Sequence, residues 1–177
     1  MNYEKTVYKA IDIYKENWVT LSVSTLVVFA LGMITFGLLF GPLIAGLASM
    51  FNKAKSGNKP TFDDLFKYNG KFIIIVLMGI LTGILVFIGF IFLVLPGILL
   101  ATLWMYSLFA IAFDNKGIID AMKTSWAFVM KNGLWQNVVI LLAIGILNCI
   151  GGAVVVGPLI TIPLSMGFLA MLYDENK

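Results

Sequence analysis

The sequence predicts an all-α membrane protein of six membrane helices, arranged as three hairpins, and three observations carry that prediction. All 21 charged side chains fall in the segments 1–16, 53–71, 114–131 and 174–177. The stretches between them, 17–52, 72–113 and 132–173, are 36, 42 and 42 residues long and contain no charge. Composition agrees: 60% of residues are hydrophobic and 12% charged, with a mean hydropathy of +0.99, whereas soluble domains run near roughly 25% charged. A spanning helix needs about 20 apolar residues at about 1.5 Å rise each. Each uncharged stretch therefore holds two crossings and returns the chain to the face it left.

Orientation follows from the lysines. Every Lys lies in the segments on one face and none in the far turns, so that face is expected to be cytoplasmic, with both termini on it. Tyr14, Trp18, Tyr68, Trp126, Trp135 and Tyr173 adjoin the charged segments, as an interfacial aromatic belt does. The far turns, around 35–37, 90–96 and 151–158, are short and apolar. Sixteen polar-rich residues precede the first apolar run, which is not the layout of a cleaved signal peptide. The net charge of +3, from twelve Lys without Arg against nine acids, is too dispersed for a nucleic-acid surface.

The chain reads as one polytopic domain over 1–177, built from three repeat-like units of about 1–59, 60–116 and 117–177. In each, a short amphipathic segment ends near an Asn (Asn17, Asn69, Asn132), an apolar run follows, and a Pro comes 25 to 27 positions later (Pro42, Pro96, Pro158). Proline is tolerated in the first turn of a helix, where its missing N–H would have no intrahelical partner, so Pro42, Pro96 and Pro158 are expected to start the return arms. Only ten uncharged residues separate Pro42 from Lys53. Its helix is therefore expected to begin upstream, near Gly37, and to kink at the proline.

Each hairpin is expected to be preceded by an interfacial helix. Tyr3, Val7, Ile11, Tyr14 and Trp18 form one stripe and Lys5, Lys9, Asp12 and Glu16 the other. Residues 118–131 repeat this, with Ile119, Met122, Trp126 and Val129 opposite Asp120, Lys123, Thr124 and Lys131. Between them, Thr61 is expected to cap a helix start with Asp63 and Asp64 in its first turn and Phe62, Leu65 and Phe66 facing inward. Asp63, Asp64, Phe66 and Trp126 are thus the candidate interfacial residues.

Chemistry is thin. There is no His, and the single Cys149 excludes an internal disulfide; its expected role is packing. No Asp, Glu, Lys or Arg lies within the apolar stretches, so the buried ionisable groups typical of proton-coupled carriers are missing. No catalytic residue, metal ligand or cofactor is predicted. Inside the apolar stretches, Asn148 stands out, and an amide in hydrocarbon should seek a neighbouring helix. Trp104 and Tyr106, well away from the aromatic belt, are candidates for a cleft with it. Gly37-x-x-x-Gly41 and Gly79-x-x-x-Gly83 offer small faces for close helix approach.

Gly41-Pro42-Leu43-Ile44-Ala45-Gly46, the Lys-rich loop with Gly57, and Pro60-Thr61-Phe62-Asp63-Asp64-Leu65-Phe66 resemble a family of small prokaryotic integral membrane proteins: the YciC type and the membrane domain joined to some glycerophosphodiester phosphodiesterases. Leu95-Pro96-Gly97, Trp104 and the stretch from Asp114 to Trp126, with Ala121 and Ser125, resemble a second signature of that group. The resemblance implies a six-helix inner-membrane domain without established catalytic residues; the soluble phosphodiesterase domain is absent, so its activity is not implied.

The expected function is therefore non-enzymatic association with membrane lipids or with a partner membrane protein, a second copy of the chain included. A small transporter or lipid-handling protein is the alternative, and an immunity or resistance protein against a membrane-active peptide a further one.

Overall fold

The computed structural model describes residues 3–154 and 156–177. Among these the chain is all-helical, with no strand: α1 Tyr3–Glu16, α2 Trp18–Ile34, α3 Phe40–Lys55, two 3₁₀ turns at Phe62–Phe66 and Asn69–Lys71, α4 Phe72–Phe92, α5 Val94–Trp104, α6 Ser107–Asp114, α7 Ile118–Lys131, α8 Leu134–Gly152 and α9 Pro158–Asn176. Three segments are long and apolar enough to cross a membrane: 62–92, 94–114 and 134–152. The pair α1 and α2, bent by 91° at Asn17, becomes a fourth if counted as one span. Val155, in the turn expected at 151–158, lies outside the described residues.

Two compact units form. The first comprises Met1–Phe72 and Ile146–Lys177, the second Ile73–Gly145. In the first, α3 is the central helix and packs against α9, α2, α1 and the 62–66 turn. Its sequence allows this, because Ala45, Gly46, Ala48 and Ser49 let neighbours approach from several sides while Leu43, Leu47, Met50 and Phe51 fill the core. A Cβ at Gly46 would collide with the Leu65 carbonyl, and one at Gly167 with the Phe51 ring. On α2 the buried residues Leu21, Ser24, Thr25, Val28 and Gly32 recur at helical spacing and give one inward face. Phe40 packs edge-on to Phe29 at 5.9 Å and lies over Gly32, closing the hairpin.

The segment expected as a third interfacial α-helix is 3₁₀ instead. Leu65 points inward, at 1% exposure, and Tyr68 beyond the turn is buried at 6%, while Phe62 and Phe66 are 47% and 40% exposed, against expectation. Pro42 also differs from expectation. α3 begins at Phe40, beyond Gly37, which lies in the left-handed region at φ 87°, so Pro42 occupies the first turn and needs no kink. Pro96 is likewise the third residue of its helix and Pro158 the first.

In the second unit, α5 and α6 pack against α7. The buried face of α7 is Ala121, Met122, Ser125, Phe128 and Val129. α4 approaches α5 at their apolar ends, where Gly89 faces Gly97 and Leu100. Outward, α4 presents Ile73, Leu77, Ile80, Ile84, Phe87 and Ile91 as an unbroken exposed apolar stripe along its whole length. Gly79 and Gly83 have open space above them, so that small face is not used for packing within the chain.

Candidate functional site

The residues expected in a cleft are distributed by the fold to three settings. Trp104 lines an open groove of about 400 Å³ with Ile119, Met122, Lys123 and Trp126. Its floor is Met122, on the inward face of α7, and its walls are the two indoles. Ile119, Lys123, Trp126 and Met130 follow one another at helical spacing on the outer face of α7, and the apolar three are 49–58% exposed. The stripe expected on α7 is thus divided, with Met122 and Val129 turned in and Ile119 and Trp126 turned out. Lys123, on the groove's rim, has no ion pair among the described residues. Chemically, the groove offers aromatic and aliphatic walls with one ammonium at the edge.

Tyr106 does not line that groove. It is fully buried, and its hydroxyl donates to Asn137 Oδ1 at 2.9 Å, while Asn137 Nδ2 donates to the Gly133 carbonyl at 2.8 Å. Its ring packs on Phe128 at 4.6 Å. Just before it the helix breaks between α5 and α6, and Ser125 repairs the break. The Ser125 hydroxyl donates to the Leu103 carbonyl at 2.6 Å and accepts from the Tyr106 N–H at 3.2 Å.

Asn148 belongs to the other unit. Its Nδ2 donates to Ser165 Oγ at 3.1 Å across the α8–α9 contact, and Ser165 in turn donates to the Thr161 carbonyl at 2.7 Å. This is the neighbouring-helix bond an amide in apolar surroundings requires. Cys149 beside it is exposed.

Of the acids, Asp63 is exposed, and Asp64 ties α3 to the 3₁₀ turn. It accepts from the Thr61 N–H and hydroxyl, both at 2.8 Å, and from Lys53 Nζ at 2.7 Å. A second cluster gathers the charged ends of α1, α3 and α9. Glu175 accepts from the Thr6 hydroxyl at 3.2 Å and lies 3.2 Å from Lys55 Nζ and 3.7 Å from Lys9 Nζ; Lys55 also reaches Asp174 at 3.3 Å. Partial burial alone would raise the Glu175 pKa. The hydrogen bond and charge of Lys55, with Thr6 and Lys9, outweigh it and hold the carboxyl below the ordinary glutamate value. These are linking roles, and among the described residues no three His, Cys, Asp or Glu side chains converge as metal ligands would.

The aromatic belt also divides. Trp18, Trp126 and Trp135 are 60%, 49% and 69% exposed, whereas Tyr68 and Tyr173 are buried. Sequence reasoning missed Asn137 and Ser165. Both sit in the apolar stretches beside residues it chose, and the signal available was the rarity of polar residues there.

The family described as Domain of unknown function (DUF7847) matches residues 6–172. The chain belongs to that family. No curated protein and no solved structure matches it. DUF7847 membership covers both compact units and the α5–α7 groove.

Proposed function

We propose that this DUF7847 chain is an integral protein of the cytoplasmic membrane, non-enzymatic, that works by associating with membrane lipid, taking a phospholipid with an anionic headgroup at the α5–α7 groove. Six membrane helices in three hairpins, with both termini cytoplasmic, fit the outward apolar stripe of α4 and the matching one on α8, Trp135, Val139, Leu142, Ile146 and Ile150. Water would meet these stripes at a cost of about 25 cal/mol per Å² of apolar surface, and hydrocarbon removes it. The 91° bend between α1 and α2 lets the lysine-bearing α1 lie in the surface while α2 enters the bilayer. Two of the three repeat-like units share a detail: Asn17 and Asn132 each donate back four residues, to the carbonyls of Ile13 and Phe128, at the end of an amphipathic helix.

One observation carries the lipid assignment: Lys123 on the rim of a groove walled by Trp104 and Trp126. The indoles suit an acyl chain near the interface, and the ammonium suits a headgroup phosphate. Mass spectrometry of lipid retained by the chain in mild detergent tests this. An anionic phospholipid is expected on the native chain and is expected to fall several-fold in the double variant Lys123→Gln, Trp126→Ala. Equal retention by both would remove the groove from consideration, and a stoichiometric protein companion would favour association with a membrane-protein partner.

A further inference from the structure

The turn between α2 and α3 is apolar and exposed. Met33 and Ile34 are 72% and 73% exposed, Leu38 52% and Phe36 97%. Phe36 holds a left-handed φ of 51°, a conformation that aqueous turns assign to Gly, Asn or Asp. Nothing in the side chains of this turn seeks water.

Its backbone donors are held within the hairpin. From Thr35 to Phe40 every N–H has an acceptor within the hairpin: Thr35 to Leu31 O at 3.0 Å, Phe36 to Met33 O at 3.2 Å, Gly37 to Gly32 O at 2.7 Å, Leu38 to Thr35 O at 3.1 Å, and Phe40 to Gly37 O at 3.0 Å. Leu39 donates to the Thr35 hydroxyl at 3.3 Å, and that hydroxyl donates to Leu31 O at 2.7 Å. Two residues on, Pro42 has no N–H to satisfy. In water an open turn can leave such groups to solvent at little cost. In hydrocarbon each unsatisfied group costs several kcal/mol, so a turn whose N–H groups are already bonded loses least on immersion.

The reach of the return arm points the same way. From Phe40 to Asn52, the last residue before the first charge, α3 has thirteen residues, roughly 20 Å at the helical rise. Lys53 and Lys55 cannot stretch the anchor point inward, because Lys53 is tied to Asp64 at 2.7 Å and Lys55 to Asp174 and Glu175 at 3.3 and 3.2 Å. The hydrocarbon core is about 30 Å thick. By contrast α4, with 21 residues, reaches roughly 32 Å.

We infer that the first hairpin, 18–55, enters and leaves the bilayer on the same side without emerging on the other, its tip immersed among the acyl chains of the far leaflet with Phe36 in contact with them. This rests on the membrane reading proposed above and leaves both termini on one face. The occupant of the exposed tip is lipid hydrocarbon.

The test uses the full chain in vesicles with Cys149→Ala as background. A bimane probe is placed at Phe36→Cys or, for comparison, at Leu93→Cys in the turn between α4 and α5. Phe36 is almost wholly exposed, so its replacement does not threaten the fold. Quenching at position 36 is expected to be at least twofold stronger with a mid-chain nitroxide lipid than with a headgroup nitroxide, and the ratio is expected to invert at position 93. Stronger headgroup quenching at position 36 would overturn the immersed tip while leaving the membrane reading intact. Absence of quenching by either lipid at both positions would instead overturn the membrane reading and the immersed tip with it.

Discussion

The Tyr14 hydroxyl donates to the Leu159 carbonyl at 3.4 Å, and that carbonyl is the one Pro163 leaves open inside α9. A proline four residues on cannot return the usual N–H, so an acceptor is stranded where apolar neighbours offer nothing. Tyr14 also shares a hydrogen bond of 2.7 Å with Ser22 Oγ. One side chain at the end of α1 therefore fixes the bend into α2 and covers a defect in α9. Tyr14→Phe is expected to lower stability by about 1 kcal/mol. In a Pro163→Ala background the Ala N–H supplies Leu159, and the loss should shrink. A double-mutant cycle by denaturant titration in detergent checks this; full additivity would break the proposed link between the two residues.

The charge cluster at Glu175 predicts a pH dependence. Because its folded pKa lies below the ordinary glutamate value, its stabilisation is fully present above about pH 4.3 and is lost as pH falls through the depressed folded value. The melting temperature of the native chain should therefore drop between pH 5 and pH 3 more steeply than that of Glu175→Gln. Parallel acid slopes would mean that Thr6, Lys9 and Lys55 do not favour the carboxylate in solution.

Gly46 and Gly79 separate two kinds of glycine that the sequence presents alike. A Cβ at Gly46 meets the Leu65 backbone, which cannot rotate away as a side chain can, so Gly46→Ala is expected to cost about 1–3 kcal/mol. Gly79 has nothing within 4 Å, and Gly79→Ala should be neutral or stabilising by up to about 1 kcal/mol. Unfolding titrations of both variants check the contrast. A marked loss at Gly79 would indicate that its open face is covered by another molecule.

Much of the architecture was legible because it depends on local quantities. Charge position and apolar length predict six membrane helices; the chain is all-helical, and three of its segments are long and apolar enough to cross a bilayer, while the stripes on 3–18 and 118–131 gave α1 and α7. What failed depended on partners far away in sequence or on fine backbone geometry. Phe62 and Phe66, expected inward, are exposed on a segment that winds as 3₁₀ where an α-helix is expected. Pro163 leaves the Leu159 carbonyl open, and the donor that serves that carbonyl, Tyr14, lies 145 residues from it. Trp104 and Tyr106 are two positions apart and looked like one site; the helix break between them sends one to the α5–α7 groove and the other into the core.

Ser125 is where that break is held, and it gives the most local prediction. Its fully buried hydroxyl serves the Leu103 carbonyl and the Tyr106 N–H at once, the two groups freed where α5 stops and α6 begins. Ser125→Ala removes a partner from each of these two buried groups, at an expected cost of about 1–3 kcal/mol. The cost should be visible at one amide: Tyr106 N–H, shielded at zero exposure in the native chain, should exchange with deuterium at least tenfold faster in the variant. Tyr106→Phe provides the control, since it removes the bond to Asn137 but leaves Ser125 in place. It should destabilise the second unit without selectively opening the amide at 106. If both variants accelerate exchange there equally, the break is held by packing of the ring on Phe128 rather than by the Ser125 hydroxyl.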